Sequence, residues 1–102
     1  MRIIVRRRLR QFGQKHPTAA AALERFRQIV EAATWRSFEE LRQTFRQADQ
    51  CKVASGRIVQ IFNIQGNRYR LIAHIHFDRQ CIYIRDFLSH AEYTKNHWKE
   101  NN

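Results

Sequence analysis

Apolar residues recur along this chain first at helical and then at strand spacing. Ile3, Ile4 and Val5 follow a single arginine and predict a short strand over residues 2–5. Val5, Leu9 and Phe12 then fall three or four residues apart, with Gly13 and Pro17 marking the end of that helical element. Thr18 to Ala33 carries the clearest helical stripe: Ala19, Leu23, Phe26, Val30 and Ala33 share one face. Ser37, with Glu40 three residues on, forms a capping-box signature for a third helix whose apolar face is Phe38, Leu41 and Phe45. Residues 46–56 are polar and without clear period, and read as a connection back towards a sheet. From Arg57 the composition turns β-branched and aromatic. It predicts strands over Ile58–Ile64, Arg68–Phe77 and Cys81–Phe87, joined by turns at Gln65-Gly66-Asn67 and Asp78-Arg79-Gln80. Residues 91–99 can form a short terminal helix. The expected fold is α+β: a short N-terminal strand, then two to three helices packed on one face of an antiparallel β-meander.

Alternate residues of a strand face opposite sides of its sheet. In the second meander strand this puts Tyr69, Leu71, Ala73, Ile75 and Phe77 on a core face. Arg68, Arg70, Ile72, His74 and His76 lie on the other. In the third strand Ile82 and Ile84 suit the core, which turns Tyr83, Arg85 and Phe87 outwards. Arginines and aromatic rings from neighbouring strands would then share one open face, an arrangement suited to single-stranded RNA. Rings stack bases there and planar guanidinium forks hold phosphates.

Charge strengthens that reading. The 102 residues carry a formal net charge of +10, a balance that attracts phosphate polyanions. No acidic residue precedes Glu24, while Arg2, Arg6, Arg7, Arg8, Arg10 and Lys15 all do; the Arg6–Arg8 run reads as a solvated or rRNA-contacting patch. At 43% hydrophobic, residues 1–102 suffice for one domain with one modest core. Cys51 and Cys81 fit neither metal nor redox spacing, and Cys81 reads as a small buried hydrophobe. The longest apolar run, Ala19–Leu23, is too short to span a bilayer, so no membrane association is expected. The acid-free, arginine-rich start resembles a mitochondrial transit peptide, but Ile3-Ile4-Val5 fits a first strand better. The cytoplasm is the expected location.

His90 stands where the third meander strand passes into the following segment, and Tyr93 lies one helical turn beyond. Histidine titrates near neutrality and serves as general acid or base, although a lone histidine more often caps or packs. His74, His76 and His90 are a conceivable zinc set, yet no acidic or cysteine ligand accompanies them at telling spacing. No metal or cofactor is expected.

Taken together, Phe62-Asn63-Ile64, Gly66-Asn67-Arg68-Tyr69-Arg70-Leu71-Ile72, Tyr83-Ile84-Arg85 and Ser89-His90-Ala91-Glu92-Tyr93 resemble the HigB toxins of bacterial toxin–antitoxin modules, within the RelE superfamily. The likeness is strongest over residues 57–96. It implies a ribosome-dependent mRNA endoribonuclease that enters the ribosomal A site, cuts mRNA without a metal, and is neutralised by a cognate antitoxin, often with a helix-turn-helix domain. It further implies Arg70 as the phosphate-holding arginine and places His90 and Tyr93 among the catalytic side chains. Arg68, Tyr83, Arg85 and Lys95 are then expected to bind RNA. The chain departs from its relatives in lacking their lysine cluster near the start of the meander, where only Lys52 stands. The alternative expectation is an RNA- or ribosome-binding module that docks through the same face without cutting. A DNA-binding role finds no helix-turn-helix pattern to support it.

Overall fold

A computed structural model describes all 102 residues. β1 (Arg2–Ile4) leads into α1 (Arg7–Lys15), a 3₁₀ turn (Pro17–Ala19), α2 (Ala20–Ala32) and α3 (Phe38–Thr44). The sheet then builds through β2 (Asp49–Lys52), β3 (Ile58–Ile64), β4 (Tyr69–His76) and β5 (Cys81–Ser89), and the chain ends in α4 (His90–Thr94) and α5 (Trp98–Asn101). The five strands lie in the order β1-β5-β4-β3-β2. The expected α+β class and the three meander strands are all present.

Local chemistry sets the element ends. Gly13 does not stop α1, which runs on to Lys15; it lies inside the helix, where a Cβ would make ordinary contact with Ala20 at 3.4 Å. Pro17 ends α1 and opens the 3₁₀ turn, since proline favours the first helical position and has no amide to donate. At α3, Ser37 accepts from the Glu40 amide, but the Glu40 carboxylate takes the Arg36 amide rather than that of Ser37, so half of the expected capping box forms.

Two features were absent from the sequence pattern. β1 pairs in parallel with β5, with Ile3 opposite Ile82, making the sheet mixed. The polar connection after α3 contains β2, an edge strand paired antiparallel with β3. Its four residues are mostly exposed, and an edge strand of that kind leaves no hydrophobic alternation to read.

On the helical side, Leu9, Leu23, Phe26, Val30 and Leu41 close over Phe62, Leu71, Ala73, Ile82 and Ile84 in one core. Phe26 and Phe45 meet the Phe62 ring edge-on at 5.0 and 5.1 Å. The other face is not open throughout. Trp98 of α5 closes a second cluster with Val53, Val59, Ile61 and Ile72, so the middle of the sheet is buried on both sides. Burial on both faces explains why β3 reads as a nearly continuous apolar run.

Phe87 corrects the expected parity. Ile72 pairs with Asp86 but Ala73 pairs with Ile84, leaving Arg85 as the extra residue of a β-bulge. Beyond it the alternation shifts by one. Phe87 therefore turns inward, where it stacks on Tyr69 at 4.9 Å and Phe12 at 5.4 Å. Arg8 donates to the Ile84 carbonyl at 2.9 Å, beside the bulge.

Candidate active site

The hairpin from β3 to β4 makes the first wall of the site. Its connection is a turn in which Gln65 and Gly66 both take positive φ, a conformation that glycine adopts without a Cβ penalty. The turn presents Asn67 beside the start of β4. Arg70 donates from Nη1 to the carbonyls of Asn67 and Tyr69, each at 3.2 Å, and its Nη2 reaches Asn67 Oδ1 at 3.4 Å. These bonds tether the guanidinium along its own strand rather than to a carboxylate, so its charge is not neutralised by a partner.

The second wall is α4. Ser89 accepts from the Glu92 amide at 3.2 Å and the Glu92 carboxylate takes the Ser89 amide at 2.9 Å, a complete capping box. The Ser89 backbone bond, ahead of opposing desolvation, holds the Glu92 carboxyl below the usual carboxylate range. This box fixes a five-residue helix too short to persist alone. It sets His90 at the first helical position, where the backbone amide donates to the Arg68 carbonyl at 2.9 Å and the residue stays exposed.

Tyr93, one turn on, faces the sheet. The Arg70 guanidinium carbon lies 5.3 Å from its ring centroid, within cation–π range. Trp98 stacks on the same ring at 5.3 Å and 14° and donates its indole N–H to the Tyr93 carbonyl at 3.0 Å. Burial first, then the charge of Asp49, pushes the Tyr93 phenol above its ordinary value, while Arg70 opposes the shift and Cys51 adds to it. Asp49 and Cys51 thus bring β2 to the site as a third wall.

Of the residues expected from sequence, Arg70, Tyr93 and the backbone of His90 and Arg68 converge at this end of the sheet. Lys95 caps α4 and lines a separate groove with Asp86 and Trp98. Tyr83 stands elsewhere: it pairs with His74 towards the far end of β4 and packs on the His76 ring at 5.3 Å. Arg85 is engaged too, donating from Nε to Asn102 Oδ1 at 3.0 Å, while Asn102 donates to Asp86 at 3.0 Å. The open face expected from parity is therefore split by α5. His74 and His76 pack together at 4.7 Å, with His90 at the other end of β4, and no three His, Cys, Asp or Glu side chains group as a metal site.

Gln47, Asp49, Asn63 and Asn67 belong to the site and were not singled out. Asn63 pairs with Arg70 across the ladder, and its amide donates to Gln47 at 2.9 Å. Asn63 and Asn67 lie in the motif that carries the family resemblance; Gln47 and Asp49 become visible only once β2 is placed. Lys52 alternates with Cys51 in β2 and so faces away from Arg70.

No helix of the chain is long and apolar enough to cross a membrane. Comparison with known proteins matches residues 19–96 to the HigB toxin family, the RelE-like toxic component of a toxin–antitoxin system. A protein named mRNA interferase HigB from Escherichia coli O6:H1 is 28% identical over 103 residues, covering 99% of this chain and 98% of the relative. The mRNA interferase toxin HigB of Escherichia coli K12 is 28% identical over 93 residues, covering 91% and 88% respectively. A Shigella flexneri mRNA interferase HigB matches to the same extent. With the helices, meander and closing Ser89–Tyr93 segment in place, the chain belongs to the HigB toxin family, the RelE-like toxic half of a toxin–antitoxin pair whose other half is an antitoxin.

Proposed function

We propose that this chain is a ribosome-dependent mRNA endoribonuclease, acting in the cytoplasm as a single domain over residues 1–102. The observation that carries the reading is the unneutralised Arg70 guanidinium, tethered by Asn67 and laid over Tyr93 beside His90. Its relatives bear the name mRNA interferase, which fits a site built to meet one phosphodiester.

The reaction that fits these residues is attack of an RNA 2′-hydroxyl on the adjacent phosphate. The 2′-oxygen forms a bond to phosphorus, the bond to the 5′-oxygen breaks, and a 2′,3′-cyclic phosphate and a 5′-hydroxyl result. His90 removes the 2′-hydroxyl proton. Arg70, aided by Arg68, holds the extra negative charge that builds on the phosphoryl oxygens, a contribution worth about 10²–10³-fold in comparable sites. Tyr93 is protonated at neutral pH, as any ordinary phenol is, and burial pushes it further that way, which suits it to donate a hydrogen bond or proton to the departing 5′-oxygen. With Arg70 and Trp98 packed on its ring, its polar end is what it offers RNA, and base stacking on Tyr93 is set aside. Charge stabilisation by guanidinium and proton transfer by side chains need no metal ion. The ribosome supplies alignment by holding the mRNA for in-line attack in its A site. Lys95 is a peripheral phosphate contact; Arg85 and Tyr83 support the fold rather than the cut. The antitoxin is a helix-turn-helix protein encoded beside this chain.

Induced expression with and without that neighbour, followed by mapping of mRNA 5′ ends in translating cells, tests the reading. New 5′-hydroxyl ends at codon-defined positions, lost in Arg70→Ala and in His90→Ala, are expected. Translational arrest without new ends would instead identify a docking module, and wild-type cutting by Arg70→Ala would remove Arg70 from the mechanism.

A further inference from the structure

Beside Arg70 the sheet carries a pair of amides that the proposed chemistry leaves unused. Asp49 opens β2 opposite Ile61; Gln47 stands in the turn two residues earlier, and its side chain meets that of Asn63, which pairs with Arg70. Gln47, Asn63 and Arg70 thus adjoin in that order, the first two by a side-chain bond and the last two by strand pairing. Asn63 Nδ2 donates to Gln47 Oε1 at 2.9 Å.

That bond fixes both amides and leaves a defined offer: the Asn63 carbonyl as acceptor and the Gln47 amide N–H groups as donors. Turning both amides over leaves the pair still presenting one donor and one acceptor side by side, so the offer does not depend on which way they point. Next to them a groove of about 380 Å³ is walled by Phe45, Arg46, Ala48 and Phe62. No acidic side chain lines it, and Arg46 stands exposed at its rim.

We propose that Gln47 and Asn63 read the polar edge of one unstacked RNA base next to the phosphate held by Arg70. This rests on the reading of the chain as an RNA-cutting protein. A neutral donor–acceptor pair is poorly matched to phosphate, which calls for cations, and well matched to a nucleobase edge, where a ring nitrogen or carbonyl accepts beside an N–H that donates. Asn63, which carries the amide pair, stands across the ladder from Arg70, so the pair and the guanidinium are neighbours, as a base and its own phosphate are in single-stranded RNA. At the groove the partly exposed Phe45 offers the flipped ring an apolar contact, as sequence-selective RNA sites commonly do.

Two measurements separate this proposal from the function on which it rests. The first is the base distribution at positions flanking the cuts, normalised to total cuts, for wild type, Gln47→Ala and Asn63→Ala in translating cells. The wild type should prefer one base at one flanking position by about tenfold, the discrimination typical of a good paired contact, and each variant should flatten that preference. The second is fluorescence anisotropy of the purified protein with four labelled short RNAs that differ in a single base. Here the wild type should favour one oligonucleotide by about tenfold, Asn63→Ala should bring the four together, and Arg70→Ala should weaken all four alike. Variants that keep the wild-type distribution and the wild-type affinity ratio would overturn the amide pair as base reader, as would a wild type with no preference in either measurement. If the wild type cuts nothing in cells, the endoribonuclease reading falls, while the oligonucleotide ratio still decides whether Gln47 and Asn63 read a base.

Discussion

The Arg70 guanidinium lies over the Tyr93 ring, 5.3 Å from its centroid, and joins the second meander strand to the closing helix. Asn67 Oδ1 and two backbone carbonyls hold the guanidinium from its other edges. Charge and planarity therefore matter separately. Arg70→Ala should lower mRNA cutting by about 10²–10³-fold, the cost of removing one preorganised charge-stabilising group. Arg70→Lys keeps the charge but loses the planar fork and should recover only part of the rate. Because Arg70 sits outside both apolar clusters, neither variant should shift the thermal midpoint by more than a few degrees, measured by circular dichroism alongside cutting.

Tyr93 and Trp98 call for a paired test. Trp98 is 3% exposed and anchors the smaller cluster, so Trp98→Ala should cost about 3–5 kcal/mol of unfolding free energy in urea titrations. It should also reduce cutting, because the indole that fixes Tyr93 is gone. Tyr93→Phe keeps the stack and should spare stability while lowering cutting. Burial pushes the Tyr93 phenol above its ordinary value of 10.0, so the tyrosine absorbance step that Tyr93→Phe removes should lie above pH 10.0. A cutting rate unchanged by Tyr93→Phe would confine the residue to scaffold.

His74 gives the fold a dependence on mild acid. Burial holds its imidazole below the ordinary value of 6.5, against the Ile58 carbonyl bond that favours the charged form; His76, Arg57 and Arg85 add repulsion. The unfolded chain thus binds this proton more readily than the folded one, and stability rises with pH wherever that difference exists. Unfolding free energy should be insensitive to this group above about pH 7.5, one unit over the unperturbed value, and should fall as pH drops through 6.5 towards the lowered folded value. His74→Gln should flatten that part of the urea-stability profile.

Strain at the corner after β1 predicts a stabilising change. Val5 has φ of +61°, a left-handed conformation that β-branched residues strongly disfavour, and it is 45% exposed. Val5→Gly should raise stability by up to about 1 kcal/mol, because relief of the strain exceeds the small burial lost and the added flexibility of the unfolded chain. A fall in the melting temperature would show that the valine methyl groups matter more than the backbone.

Much of this molecule was legible because its elements have strong periods. Phe26, Val30 and Leu41 on the helices and Leu71, Ala73 and Ile82 on the strands all stand where spacing puts them. What escaped has identifiable physical causes. β2 is a short polar edge strand with no buried alternation, so Gln47 and Asp49 could not be placed beside Arg70. Arg85 and Tyr83 were assigned to the RNA-binding face by simple alternation. That rule assigns a face but not a position along the strand, and it is blind to a covering segment such as Trp98 to Asn102. His90 and Tyr93 stood out by their place after the third meander strand, but their catalytic reading came from resemblance, since nothing in a five-residue helix announces its own chemistry.

The extra residue at Arg85 gives β5 two phases. Before it, Ile82 and Ile84 serve the helical core; after it, Phe87 serves that same core only because one position has been inserted. Removing Arg85 would delete a cation and the bulge together. Without it Ile84 and Asp86 would follow one another in regular alternation, Asp86 still outward and Phe87 still inward; it is flattening the bulge with Arg85 retained that would turn Asp86 towards Phe12 and Tyr69 and expel the phenyl ring. In this family member, then, β5 can lose its bulge residue and keep its ladder, whereas one residue added between Asp86 and Ser89 would carry α4, and with it His90 and Tyr93, out of register with Arg70.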